Sequence, residues 1–165
     1  MLYILDANVL IDAARDYYPF DRVPEFWTWL LHQGTVGTVK IPQEIYDELT
    51  GSDDALSEWL KTDAAKAALL LDAEPDPGLV TSVVTIGYAP DLTDDEQLKV
   101  GRDPFLIAYA LAAPAERRVV STEVSKPSKT RANRHIPDVC RSLGVESMNT
   151  FELLRQLDFR TGWQA

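Results

Sequence analysis

The chain has 165 residues, 45% apolar and 25% charged, enough for one globular domain with a substantial core. Its net charge of −10 excludes a protein that coats nucleic acid through a broad basic face. The single cysteine, Cys140, excludes an internal disulfide and reads as a small buried apolar residue, while two histidines, His32 and His135, exclude HExxH and zinc-finger arrangements, leaving hard oxygen ligands for any metal.

No run approaches the roughly 18 apolar residues of a membrane span, and no basic, apolar leader precedes the first apolar run. The expectation is a soluble cytoplasmic protein with no membrane partner, folded as a single domain over residues 1–165.

Leu2 to Leu5 is apolar, rich in β-formers and too short for a buried helix, so it predicts a fully buried strand. Asp6 falls where that strand ends. There it either caps the helix that begins near Asn8 or Val9, or stands in the crevice where open α/β sheets place their ligands. The helix predicted over Val9 to Arg15 ends in the turn-rich Asp16-Tyr17-Tyr18-Pro19.

Pro24 opens a second helix to about His32, with Gly34 as its stop. Phe26, Trp27, Trp29, Leu30 and Leu31 leave this helix almost no polar face. It is expected either in the core, covered by the Pro75 to Tyr88 segment, or partly against another chain. Thr38 to Ile41 predicts a strand, and Pro42 at N1 starts a helix through Leu49 that carries Glu44, Asp47 and Glu48.

Asp53 is the expected cap of a helix with Leu56, Trp59 and Leu60, and Ala64 to Leu71 continues in helical character until Pro75. Leu79 to Tyr88 suits a helix by spacing but is β-rich by type, with helix the expectation, and Pro90 to Gly101 is an acidic connection, a solvated loop or short helix. Asp103-Pro104 followed by Phe105 to Leu111 is a helix start, with Asp103 at N-cap, where the helix dipole favours its ionised form.

Arg117 to Thr122 predicts another buried strand ending at Ser121-Thr122-Glu123. Next comes a loop with Lys126, Lys129, Arg131 and Arg134 and no acid among them. This local basic loop on an acidic body is either plain solvated surface or a track for a phosphate backbone. A short helix from Pro137 to Leu143, a strand near Val145 to Met148 and a helix from Thr150, capped by its hydroxyl, to Leu157 complete the pattern. Alternating strands and helices predict a three-layer α/β/α domain around a parallel sheet.

With the first strand and the Arg117 strand as neighbours, Asp6 and Glu123 share one sheet edge, and Asp103 begins the helix leading into the second strand. Carboxylates gathered in one crevice repel unless a divalent cation sits among them, and oxygen ligands select Mg²⁺ or Mn²⁺ over zinc.

These residues resemble the PIN-domain nucleases. Leu5-Asp6-Ala7-Asn8-Val9-Leu10-Ile11-Asp12 resembles that family's opening acidic motif, and Ile41 to Leu49 resembles its strand and Glu-Leu helix, which selects Glu48 over Glu44 and Asp47. Arg102-Asp103-Pro104 with Ala108 to Ala110 is similar to the third motif, and Val119-Val120-Ser121-Thr122-Glu123 to the last, where the family usually has Asp or Asn in place of Glu123. The segments Tyr17 to Asp21, Phe26 to Leu30 and Ile136 to Cys140 look most like a bacterial branch resembling the toxin halves of toxin–antitoxin pairs.

The resemblance implies Mg²⁺- or Mn²⁺-dependent cleavage of single-stranded RNA, inhibition by an antitoxin protein and, in many members, a homodimer. It implies that Asp6, Glu48 and Asp103 hold the metal, that Ser121 orients a water or phosphate, and that Glu123 acts through water or a second ion. Lys126, Lys129, Arg131 and Arg134 would bind the RNA. Two other readings stay open: a PIN-like module that binds RNA or protein without cutting, and a haloacid-dehalogenase-type phosphatase, which needs an acid where this chain has Asn8.

Overall fold

The computed structural model describes residues 1–164. Leu2–Leu5 (β1), Val39–Lys40 (β2), Arg117–Val120 (β3) and Ser147–Met148 (β4) form one sheet in the order β2-β1-β3-β4, with every pairing parallel. Parallel strands need covered faces, which is why Ile4, Leu5, Val39, Val119 and Val120 are wholly buried. Helices close both faces, giving a three-layer α/β/α domain. In register, Leu2 opposes Arg117 and Leu5 opposes Val120, so the residues after β1 and β3 emerge together at the C-terminal edge.

Ten α-helices connect and flank the strands among the described residues: Ala7–Asp12 (α1), Pro24–Thr35 (α2), Gln43–Leu49 (α3), Ala55–Leu60 (α4), Asp63–Leu69 (α5), Pro77–Ser82 (α6), Asp94–Val100 (α7), Asp103–Leu111 (α8), Ile136–Ser142 (α9) and Thr150–Gln156 (α10). Two end in wider turns with π-type bonding, Ala13–Tyr17 after α1 and Val83–Tyr88 after α6. The acidic connection contains α7, opened by a capping box in which Thr93 and Glu96 bond each other's backbone amides. No helix among the described residues is long and apolar enough to cross a membrane.

Several expected caps move by one residue. Asp54, not Asp53, caps α4 by accepting from the Ser57 amide at 2.8 Å. Asn149, not Thr150, caps α10 in a capping box with Glu152, because the carboxamide reaches the Glu152 amide from one residue earlier. Pro42 is the extended residue before α3 and not its first helical residue.

Gly34 does not stop α2, which continues to Thr35. It lies where α2 crosses α5, and a Cβ there would sit 2.7 Å from Leu69 Cδ2 and 2.8 Å from the Ala68 carbonyl oxygen. Gly34→Ala therefore gains up to about 1 kcal/mol in helix propensity but collides with backbone, and overpacking costs about 1–3 kcal/mol. The expected result is a melting temperature lower by a few degrees, read by circular dichroism.

The aromatic face of α2 is core and not an interface. Trp27 and Trp29 are 3% and 2% exposed. Their cover comes from elsewhere than Pro75 to Tyr88: Phe20 stacks on Trp27 at 4.0 Å, Trp59 of α4 meets it edge-on at 4.9 Å, and Phe159 packs against Phe26 and Trp29. Trp27 Nε1 donates to the Tyr18 carbonyl at 2.7 Å, so even its polar atom is satisfied internally.

Candidate active site

The β1–β3 register sets Asp6 beside Ser121. The Asp6 amide donates to the Val120 carbonyl at 2.9 Å, and the Ser121 amide donates to the Met148 carbonyl at 3.1 Å, continuing the ladder past the strand ends. Ser121 Oγ accepts from the Glu123 amide at 3.2 Å and donates to Asp6 Oδ2 at 3.0 Å. The accepted bond orients the hydroxyl, so its proton faces the carboxylate.

Asp6 occupies the N-cap position of α1 with the extended backbone expected there, yet its side chain makes no capping bond. A cap is therefore not what its carboxylate does. It is 4% exposed, and burial pushes its carboxyl from the ordinary 3.8 up to about 6. The Ser121 hydroxyl opposes this rise, the Glu123 charge adds to it, the Ala7 amide opposes it, and the Glu48 charge adds again.

Asp103 corrects the sequence reading twice. It is the first residue of α8 and not its cap, and Arg102, the residue before it, supplies no side-chain cap. Its carboxyl is not held ionised by the helix dipole but pushed up to about 8, first by burial and then by the charges of Asp6, Glu123 and Glu48. A dipole worth about 0.3–1 kcal/mol does not outweigh those effects at about 1.4 kcal/mol per unit. Tyr88 Oη, buried at the end of the π-type turn, lies 3.5 Å from Asp103 Oδ2 and counters the rise.

Of the three acids on α3, Glu48 alone acts on both Asp6 and Asp103. Asp47 is tied to Gln43 Nε2 at 2.6 Å. Glu44 lies beside Tyr109, and with it lines a separate surface cavity of about 590 Å³ that contains neither Asp6 nor Asp103. The acids with raised carboxyls lie at the sheet edge and not in that cavity. Glu123 leans away from the strand end, where Oε2 accepts from the Ile136 amide at 2.7 Å and so anchors the start of α9.

Tyr88 and His135 were not picked out by sequence reasoning. His135 Nδ1 lies 4.0 Å from Glu123 Oε2 and is buried without a hydrogen-bond partner. Its signal was available, since it precedes Ile136-Pro137 as the N-cap of α9. Tyr88 had none, because a π-type turn leaves no pattern in the residue types.

Among the described residues, no group of three His, Cys, Asp or Glu side chains stands close enough to hold a metal ion as placed. The donor chemistry nevertheless fits a hard cation. The charges of Glu48 and Glu123 raise both Asp6 and Asp103, and all four side chains offer oxygen donors.

The basic loop divides. Arg131 clamps Glu96 through Nε and Nη2 at 2.7 and 2.8 Å and reaches Asp91 Oδ1 at 2.7 Å, drawing the Glu96 carboxyl down to about 2. Arg134 donates to the Gly87 and Asp138 carbonyls and to Ser142 Oγ. Both arginines are thus committed to folding the loop, Arg131 through the acids of α7 and its approach and Arg134 through the Gly87 and Asp138 carbonyls and Ser142 Oγ. Lys126 and Lys129 are exposed and form no ion pair among the described residues. Cys140 is buried, its thiol pushed up to about 12 by burial first.

A three-layer α/β/α domain with acidic side chains at the C-terminal edge of its parallel sheet is the class of protein these features define. The chain belongs to the family described as a domain of unknown function, DUF4411, whose model matches residues 3–161. Neither the curated proteins nor the solved structures gave a match.

Proposed function

We propose that this chain is a Mg²⁺- or Mn²⁺-dependent ribonuclease of the PIN-domain kind, cutting single-stranded RNA in the cytoplasm as the toxin of a toxin–antitoxin pair. The observation that carries the reading is the pair of carboxyls, Asp6 and Asp103, raised in a field of two further acids at the C-terminal edge of a parallel sheet. An antitoxin protein and a second copy of the chain are its proposed protein partners, on surfaces other than the buried aromatic face of α2.

In this reading Asp6, Glu48 and Asp103 hold the cation, which when bound polarises a phosphate and lowers the pKa of water. Ser121 fixes the orientation of Asp6, while Glu123 keeps one oxygen on α9 and acts through water. Tyr88 holds Asp103 from behind. Position 8, where a haloacid-dehalogenase-type phosphatase needs its second acid, holds the uncharged Asn8.

Incubating the purified protein with single-stranded RNA and Mg²⁺ or Mn²⁺, with and without chelator and beside Asp6→Asn, tests the proposal. Chelator-sensitive cutting lost in Asp6→Asn supports it. One observation favours a second reading: the acids stand apart, as they would in a PIN-like module that binds RNA or protein without cutting. RNA binding with no cleavage under any divalent cation identifies that module.

The division of the basic loop makes a separate prediction. Replacing Lys126 and Lys129 by Gln is expected to flatten the salt dependence of RNA binding by up to about 1.4, at roughly 0.7 per phosphate contact for a single strand. Arg131→Gln and Arg134→Gln are expected to lower the melting temperature and leave that slope unchanged. Filter binding over a salt series reads the slopes.

A further inference from the structure

Among the described residues two acids are buried outright, Asp6 at 4% and Asp138 at 5% exposure, and the proposed reaction uses only the first. Both oxygens of Asp138, on α9, are taken by one stretch of loop. Ser125 Oγ donates to Oδ1 at 2.5 Å, and the Lys126 amide donates to Oδ2 at 2.7 Å. Arg141 Nη1 reaches Oδ1 at 3.4 Å. Burying a carboxylate is costly unless its oxygens are bonded, and here the bonds fix Ser125 and Lys126 to α9 just beyond Glu123.

The residue so fixed begins a turn. The Lys129 amide donates to the Lys126 carbonyl at 3.0 Å, and Pro127 sits second in the turn, where its ring presets the backbone and keeps the residue before it extended. Lys126 thus has its amide on Asp138, its carbonyl on Lys129 and its own dihedrals limited by Pro127. Lys126 and Lys129 stand at the two ends of the turn, with Cα atoms within about 7 Å of each other. Both are exposed, and neither forms an ion pair among the described residues. Two ammonium groups held side by side without a counter-ion suit the phosphates of a nucleic-acid backbone.

We propose that Asp138 is a positioning residue for RNA binding, pinning the Lys126–Lys129 turn so that both lysines meet phosphates of one single strand. The inference rests on the ribonuclease reading and names how the backbone of its substrate is held. A turn fixed in advance leaves less chain to order when the strand binds.

Charge and position predict opposite signs, which makes the test sharp. Removing an anion beside the lysines should by charge alone tighten binding of RNA. Asp138→Ala is expected instead to weaken binding of fluorescein-labelled single-stranded uridylate RNA, read by anisotropy in chelator, by about tenfold, the equivalent of ordering one residue's backbone. Asp138→Asn removes the same charge but keeps an oxygen for the Lys126 amide and an amide group for Ser125 Oγ, so it is expected to retain most of the affinity. In a Lys126→Gln, Lys129→Gln background Asp138→Ala is expected to have no further effect, because it acts through those lysines. In cleavage with Mg²⁺ the loss should fall on KM and not on kcat.

Equal or tighter binding by Asp138→Ala overturns the inference, as does the same loss in the background without the lysines. Should Asp138→Ala fail to fold, Ser125→Ala and Pro127→Gly loosen the same turn from within the loop. A smaller loss is expected of each, again only with the lysines present, and unchanged binding in both overturns the inference. Cleavage with RNA binding indifferent to Asp138 sinks the inference alone. A lysine-dependent loss in a protein that never cuts supports it and sinks the nuclease reading.

Discussion

Asp103→Asn is expected to abolish metal-dependent cleavage while raising the melting temperature of the metal-free protein at pH 8. The two effects have one cause. Asp103 carries a charge that burial and the neighbouring acids Asp6, Glu123 and Glu48 disfavour, which is why its carboxyl is pushed up to about 8. Asparagine has nearly the same shape and no charge, so the folded state loses a repulsion on the order of a few kcal/mol. At roughly 2–4 °C per kcal/mol for a domain of this size, the gain is several degrees.

The same substitution removes a charged oxygen from the proposed cation set. Losing several kcal/mol of transition-state stabilisation lowers the rate on the order of a thousandfold. Stability and activity thus move in opposite directions, the signature of a strained functional site. A capping role would move them together downwards. Lower melting temperature in chelator with reduced cleavage would return Asp103 to a structural part, and intact cleavage would remove it from the site.

Asp followed by Pro and an apolar helical run is a strong pattern for an N-cap, and the helix does start there. What the pattern could not carry is the rotation that places the carboxyl towards Asp6 instead of the helix amides, since that depends on how α8 packs against β1 and β3. Asp6 is similar: its position at the strand end was legible because buried strands announce themselves by apolar runs, while the absence of a capping bond was not.

The loop arginines show the complementary limit. Local charge counting sees Lys126, Lys129, Arg131 and Arg134 as one basic run, but Arg131 bonds Glu96 and Asp91, which lie 35 and 40 residues earlier in the chain. Pairing at that separation follows from tertiary packing and leaves no local trace. The α2 aromatics were ambiguous for the same reason: a helix apolar on most of its circumference must be covered, and the sequence did not show that Phe20, Trp59 and Phe159 would do it.

Removing divalent cations is expected to make stability fall as pH rises from about 4 to 8, and adding them to reverse the fall. The sign follows from proton counting. The ordinary value for these carboxyls is 3.8, and the folded chain raises Asp6 to about 6 and Asp103 to about 8. Between those limits the folded state binds more protons than the unfolded state, so each step up in pH favours unfolding. The penalty begins near pH 4, grows through about 6 as Asp6 ionises, and is complete above about 8. A cation held by Asp6, Glu48 and Asp103 replaces those protons with a counter-charge, so protons and metal compete and its benefit is larger at pH 8 than at pH 6. At a hundred times its dissociation constant, a cation that binds only the folded chain contributes about 2.7 kcal/mol, or about 5–10 °C. Melting curves at both pH values in Mn²⁺, Mg²⁺ or chelator, with NaCl matching the ionic strength, separate site binding from general screening of a chain of net charge −10. In the Asp6→Asn, Asp103→Asn double variant the pH profile should flatten and the cation increment should vanish. A wild-type profile already flat in chelator, or the same increment in the double variant, would show that these two carboxyls do not form a cation site.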